Sequence, residues 1–180
     1  MRNNRIEKRV CGFYVSRMHL VTMILPYIKT QAKKDVKIQT VLENDLIEDV
    51  NNILSNLIIN DEQKEKILKI DWKNKKIQKY SNIEKRLKSI LENSETDILV
   101  SGSRKYIEQV NKIIDKFLIK NDSKIYDKII KIINYYEVKE FDENIREILD
   151  DHEFIINTSG IHEIGDIFED YKKVHYGNEA

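Results

Sequence analysis

Asp97-Ile-Leu-Val100 runs into Ser101-Gly-Ser-Arg104, and then into a segment with Tyr106, Val110, Ile113, Ile114 and Phe117 at helical spacing. An apolar run of strand formers, a short Ser/Gly turn and an amphipathic helix make up one half of a βαβ unit. The same order recurs on both sides. Upstream, Val10-Cys-Gly-Phe-Tyr-Val15 reads as a strand, and Leu20, Ile24, Tyr27 and Ile28 mark the helix after it. Pro26 inside that helix removes a backbone donor and is expected to kink or break it. Lys37-Ile-Gln-Thr-Val-Leu42 is the second strand. Asp45 is then placed to cap a helix carrying Leu46, Val50, Ile53, Leu54 and Leu57.

Lys66-Ile-Leu-Lys-Ile-Asp-Trp72 reads as a third strand, followed by a helix with Ile83, Leu87, Ile90 and Leu91. Downstream of Phe117, Ile129 to Val138 is an apolar strand, and a helix with Phe141, Ile145, Ile148 and Leu149 follows. Glu153-Phe-Ile-Ile-Asn157 is the last strand. Ile161, Ile164, Ile167, Phe168 and Tyr171 mark a closing amphipathic helix. Alternating strands and helices imply right-handed crossovers. They also imply a mostly parallel sheet of five or six strands with helices on both faces. The expectation is a three-layer, Rossmann-like α/β domain over 9–171, with a short extension at 1–8 and a tail at 172–180.

The 180 residues suit one domain, which buries about 70% of its unfolded surface without disulfides or structural metal. Lys plus Arg balance Asp plus Glu at 31 each, and a neutral chain lacks the basic excess of a nucleic-acid binder. The single cysteine, Cys11, excludes an intramolecular disulfide framework and fits a reducing compartment. No apolar run approaches the ~18 residues of a membrane span, and the charged start has no signal-peptide core. The expectation is a soluble, cytoplasmic protein.

Ligands of open parallel sheets bind beyond the carboxyl ends of the strands. That geometry nominates Ser16, Arg17 and His19 after the first strand, Glu43 and Asn44 after the second, Asp71 and Trp72 after the third, Ser101, Gly102, Ser103 and Arg104 at the Ser/Gly turn, Glu137 at the end of the fifth, and Asn157 to Gly160 after the last. A helix N-terminus offers unpaired N–H groups to an anion, Gly102 admits close approach, and Arg104 adds charge. The plainer reading is that Ser103 caps the helix and Trp72 packs in the core. No Walker-type or dinucleotide glycine motif occurs, so no cofactor is expected. His19, His152, His162 and His175 lack metal-ligand spacing. Cys11 reads as a buried small hydrophobe, and His152 as a helix C-terminal charge or a satisfied core histidine.

The ordered set Cys11-Gly-Phe-Tyr-Val-Ser16, Leu25-Pro-Tyr-Ile28, Lys37-Ile-Gln-Thr-Val-Leu42, Lys69-Ile-Asp-Trp72, Ile98-Leu-Val-Ser-Gly102 and Ile133-Asn-Tyr-Tyr-Glu137, followed by Phe141, Ile148-Leu149 and His152, resembles the MEDS family. The name abbreviates the methanogen/methylotroph, dichloromethane-repressor sensory domain. The resemblance spans about residues 9–157. It departs from the family at Arg9, where a histidine is expected, and at Ser103 and Arg104, where an acidic residue is common. It implies a degenerate RecA-like domain without a phosphate loop that senses a small organic molecule. The expected function is a stand-alone, non-catalytic sensory or regulatory domain. It would bind a small-molecule ligand and signal to a protein partner through the closing helix. Two rival readings are an enzyme acting on a phosphorylated metabolite, with Ser101 to Arg104 holding the phosphate, and a ligand-free interaction module.

Overall fold

A computed structural model describes residues 6–34, 36–74, 80–138 and 144–168. The strands are β1 (Ile6–Tyr14), β2 (Lys37–Leu42), β3 (Glu95–Gly102), β4 (Ile129–Glu137), β5 (Phe154–Asn157) and β6 (Gly160–Glu163). The helices are α1 (Arg17–Gln31), α2 (Ile47–Asn56), α3 (Asp61–Leu68), α4 (Tyr80–Leu87), α5 (Ser89–Glu92), α6 (Arg104–Lys120), α7 (Asn144–Asp150) and α8 (Ile164–Ile167). The strands form one six-stranded sheet in the order β2-β3-β4-β1-β5-β6. All pairings are parallel except β5 with β6.

Side chains alternate along the strands and so feed two cores. Val10, Leu99, Ile133 and Tyr135 pack beneath α1, α2 and α3. Cys11, Ile98, Val100, Ile132 and Tyr136 pack beneath α4 to α7. This is the expected three-layer α/β arrangement with a mostly parallel sheet. Gly12 lies between neighbours: a Cβ there would stand 2.8 Å from Ile156 Cγ2 and 2.9 Å from Tyr135 Cδ1. Its missing side chain is what admits the buried Tyr135 ring.

Five expectations are corrected. First, Lys66–Trp72 is not a strand. Ile67 and Leu68 belong to α3, which Asn60 caps by accepting from the Gln63 amide at 2.8 Å. Acidic residues in its first turn and the Glu62–Lys66 pair support it. The chain then passes along the outer edge of β2, where Asp71 accepts from Thr40 and Asn74 makes a lone parallel bridge to Leu42. Second, among the described residues of the expected closing helix, Ile161 is not helical and Ile164–Ile167 form a single turn. Asn157-Thr-Ser-Gly160 is a tight hairpin turn, with Ile156 opposite Ile161. Asn157 Oδ1 accepts from the Ser159 amide at 2.8 Å, and Gly160 has φ +129°. Ile161 therefore lies on edge strand β6, only the single turn of α8 is helical, and Tyr171 lies outside the described residues.

Third, β1 begins at Ile6, inside the expected extension. The nine-residue β4 offers a partner for each residue from Ile6 to Tyr14, and Arg9 is fixed to Glu7 and Asp115. Fourth, Asp45 does not cap α2. Its carboxylate accepts from the Asn74 amide, and Leu46 occupies the cap position without a side-chain bond. Fifth, of the two outcomes expected at Pro26 the break does not occur, and α1 runs through it as one helix. Pro26 cannot donate to the carbonyl one turn back, and its own carbonyl gains a bond from Thr30 Oγ1 at 3.0 Å. Phe141, expected on the helix that forms α7, lies outside the described residues.

Candidate functional site

The Ser/Gly turn is already filled by an acid from the chain itself. Glu43 follows β2, and its backbone amide donates to the Ser101 carbonyl at 2.9 Å. That places its carboxylate at the N-terminus of α6. Ser103 N donates to Glu43 Oε2 at 2.5 Å, and Ser103 Oγ donates to Oε1 at 3.1 Å. Ser103 Oγ also caps the helix through the Tyr106 amide. Gly102 makes this contact possible, since a Cβ there would lie 2.7 Å from Glu43 Cβ. Ser103 thus caps α6, as in the plainer reading of the turn, and its remaining donors are taken by Glu43 of the same chain.

The other candidates at this edge are dispersed. Ser16 caps α1, accepting from the His19 amide at 3.1 Å. Arg17 is exposed beside Asp49 at 3.5 Å. Arg104 pairs with Glu108 at 2.9 Å and Glu147 at 2.8 Å. The strands before Arg17 and Arg104 are separated by β4, and their helices pack on opposite faces. Trp72 is buried in the core under α1 to α3, its Nε1 donating to the Ile67 carbonyl at 2.9 Å. What gathers at the edge is acidic. Burial first, then the carboxylates of Glu137 and Glu43, push the Tyr14 phenol far above its usual range.

Two polar clusters escaped the sequence reading. Asp97 is fully buried within β3. It accepts from Tyr27 Oη at 2.6 Å and Gln31 Nε2 at 3.0 Å, and lies 3.1 Å from Lys131 Nζ. Burial nevertheless holds its carboxyl above the ordinary carboxylate value, against the pull of Tyr27 and Lys131. The only sequence signal was an acid opening an apolar strand.

The second cluster is built on Asn134, fully buried in the middle of β4. His152 Nδ1 faces the Ile148 carbonyl at 2.7 Å, and a carbonyl only accepts, so Nδ1 carries the proton. Nε2 then accepts from Asn134 Nδ2 at 3.1 Å. Burial lowers the His152 pKa, which keeps the ring neutral. Asn134 Oδ1 is left without a hydrogen-bond partner among the described residues, as is Asn111 Oδ1 on α6. A buried, unmet polar atom costs about 1–3 kcal/mol.

His152 and Asn111 border a cleft of about 390 Å³ between α6 and the turn from α7 to β5, lined by Arg9, Lys112, Tyr136 and Asp151 among others. Its volume is within the ~300–1,000 Å³ of small-molecule sites. The Tyr136 ring meets His152 edge-on, with centroids 5.9 Å apart.

Cys11 stands opposite Asn134 in the sheet register. It is buried, its thiol is pushed up to about 12, and its Sγ faces the Phe154 carbonyl. Both ring nitrogens of His152 are committed elsewhere, so His152 does not serve Cys11 as a base. Among the described residues there is no cluster of three potential metal ligands, and no helix is long and apolar enough to cross a membrane. No family model matches the chain, and no curated protein matches it.

Proposed function

We propose that this chain is a non-catalytic sensory or regulatory domain that binds a small molecule and passes its state to a protein partner, working in the cytoplasm. The observation that carries the reading is the cleft beside α6. It is of ligand size, and one lining residue, Asn111, has a side-chain oxygen without a hydrogen-bond partner among the described residues. Native proteins leave few buried polar atoms unmet, and unmet ones point to a bound ligand or ordered water. The reading agrees with what the resemblance to the MEDS family implies. The site differs, because the arginines and the Ser/Gly turn at the carboxyl edge are satisfied from within the chain.

The same pairing weighs against an enzyme holding a phosphorylated metabolite at Ser101 to Arg104. A phosphate there would have to displace the Glu43 carboxylate. The experiment is a thermal melt of the protein with and without the small-molecule fraction of a cell extract. A binder of the native state raises the midpoint, since stabilisation grows as RT ln(1 + [L]/Kd). A rise is expected that dialysis reverses. An unchanged midpoint across concentrated extracts contradicts the proposal.

A further inference from the structure

The charges around the cleft narrow the class of ligand. Arg9 is spent on Glu7 at 2.8 Å and Asp115 at 2.5 Å. Glu108 is spent on Arg104. Two lining charges remain: Lys112 on α6 and Asp151 at the end of α7. Neither makes an ion pair with a described residue. The cleft thus presents one unspent cation and one unspent carboxylate. Asn111 and Tyr136 line the same cleft.

A simple anion would gain Lys112 and meet the carboxylates of Asp115, Glu108 and Asp151. A simple cation would gain Asp151 and meet Lys112 and Arg9. A compact ligand with both charges uses both unspent groups. We propose that the cleft binds a small zwitterion of the α-amino-acid class, its carboxylate on Lys112 and its ammonium on Asp151. Asn111 also lines the cleft and adds a side-chain amide to the polar groups there. Tyr136 supplies an apolar wall for the ligand's side chain. The inference rests on the small-molecule reading above and goes further, in naming the ligand's charge pattern.

Isothermal titration of the full chain with the standard amino acids, taken one at a time, is the test. For any binder, its des-amino carboxylic acid and its decarboxylated amine are titrated alongside. The expected result is that at least one amino acid binds and that both truncated analogues lose roughly tenfold or more. Lys112→Met and Asp151→Asn are each expected to weaken the same amino acid by roughly ten- to a hundredfold, the size of one charge-assisted hydrogen bond. Both side chains are exposed, so ligand-free melts should match wild type. The inference is overturned if no amino acid binds, if one truncated analogue binds as well as its parent, or if neither substitution changes affinity. A retained ligand of another class would overturn the zwitterion and leave the small-molecule reading standing.

Discussion

The Glu43 carboxylate is clasped by Ser103, through the backbone amide at 2.5 Å and the hydroxyl at 3.1 Å. This pairing ties the end of β2 to the start of α6 across the carboxyl edge of the sheet. It joins a charge-assisted bond to a favourable charge at a helix N-terminus. Glu43→Ala is expected to destabilise the fold by about 1.5–3 kcal/mol, and Glu43→Gln by less, because the amide oxygen still accepts. Urea denaturation of the three proteins measures it. An unchanged midpoint for the alanine variant would show that the clasp contributes nothing.

The half-buried imidazole of His152 gives stability a pH dependence of known sign. Its pKa is lowered from the ordinary 6.5, chiefly by burial. Between that lowered value and 6.5 the unfolded chain binds the extra proton and the folded chain does not. This contribution is therefore present above 6.5 and is lost as pH falls through the window below it. Denaturation midpoints at pH 7.5 and at successively lower values should decline in the wild type, and His152→Gln should flatten the decline. Equal slopes in the two proteins would contradict this assignment.

Lys131 is the sole cation beside buried Asp97 among the described residues. Removing one partner of a buried pair strands the other, at a cost of about 3–5 kcal/mol. Lys131→Met is expected to lose that much. Adding Asp97→Asn to it is expected to recover part, because the fully buried charge is then gone and only the part-exposed Glu95 carboxylate is left without its cation. A double-mutant cycle by urea denaturation checks the coupling. Additive losses would show that the two residues do not interact.

ATP turnover is expected to be absent. A phosphate loop wraps its ligand with backbone amides between a strand and a helix. Here only Val15 and Ser16 separate β1 from α1, and Ser16 is occupied in capping. Magnesium-dependent hydrolysis above background, abolished by a substitution in this chain, would contradict the expectation.

Much of the fold was legible because the βαβ signal is redundant. The apolar runs at Lys37–Leu42, Asp97–Val100 and Ile129–Val138 are buried strands, and the stripe from Tyr106 to Phe117 is a buried helix face. The misreadings fell where one pattern satisfies two periods. Leu68, Ile70 and Trp72 fit a strand by alternation, and the cap at Asn60 was the signal that decided for a helix end. Ile161 fits an amphipathic helix, and the turn chemistry of Asn157 to Gly160 was the signal that decided for a hairpin.

The site was less legible, because sequence shows which groups a strand end offers and not what already occupies them. Ser103 caps α6, and a residue 60 positions away takes up the donors the turn would offer a ligand. Arg17 and Arg104 stand after strands that β4 separates. The cleft beside α6 draws on Arg9, Asn111, Tyr136 and His152, which no local motif connects.

Native mass spectrometry of the protein, purified gently from its host, tests the small-molecule reading most directly. The account predicts a population heavier than the bare chain by one small molecule, which departs on denaturation and is depleted in cleft variants such as Asp151→Asn. A spectrum of the bare chain alone, unchanged after incubation with the host's small-molecule extract, would contradict it.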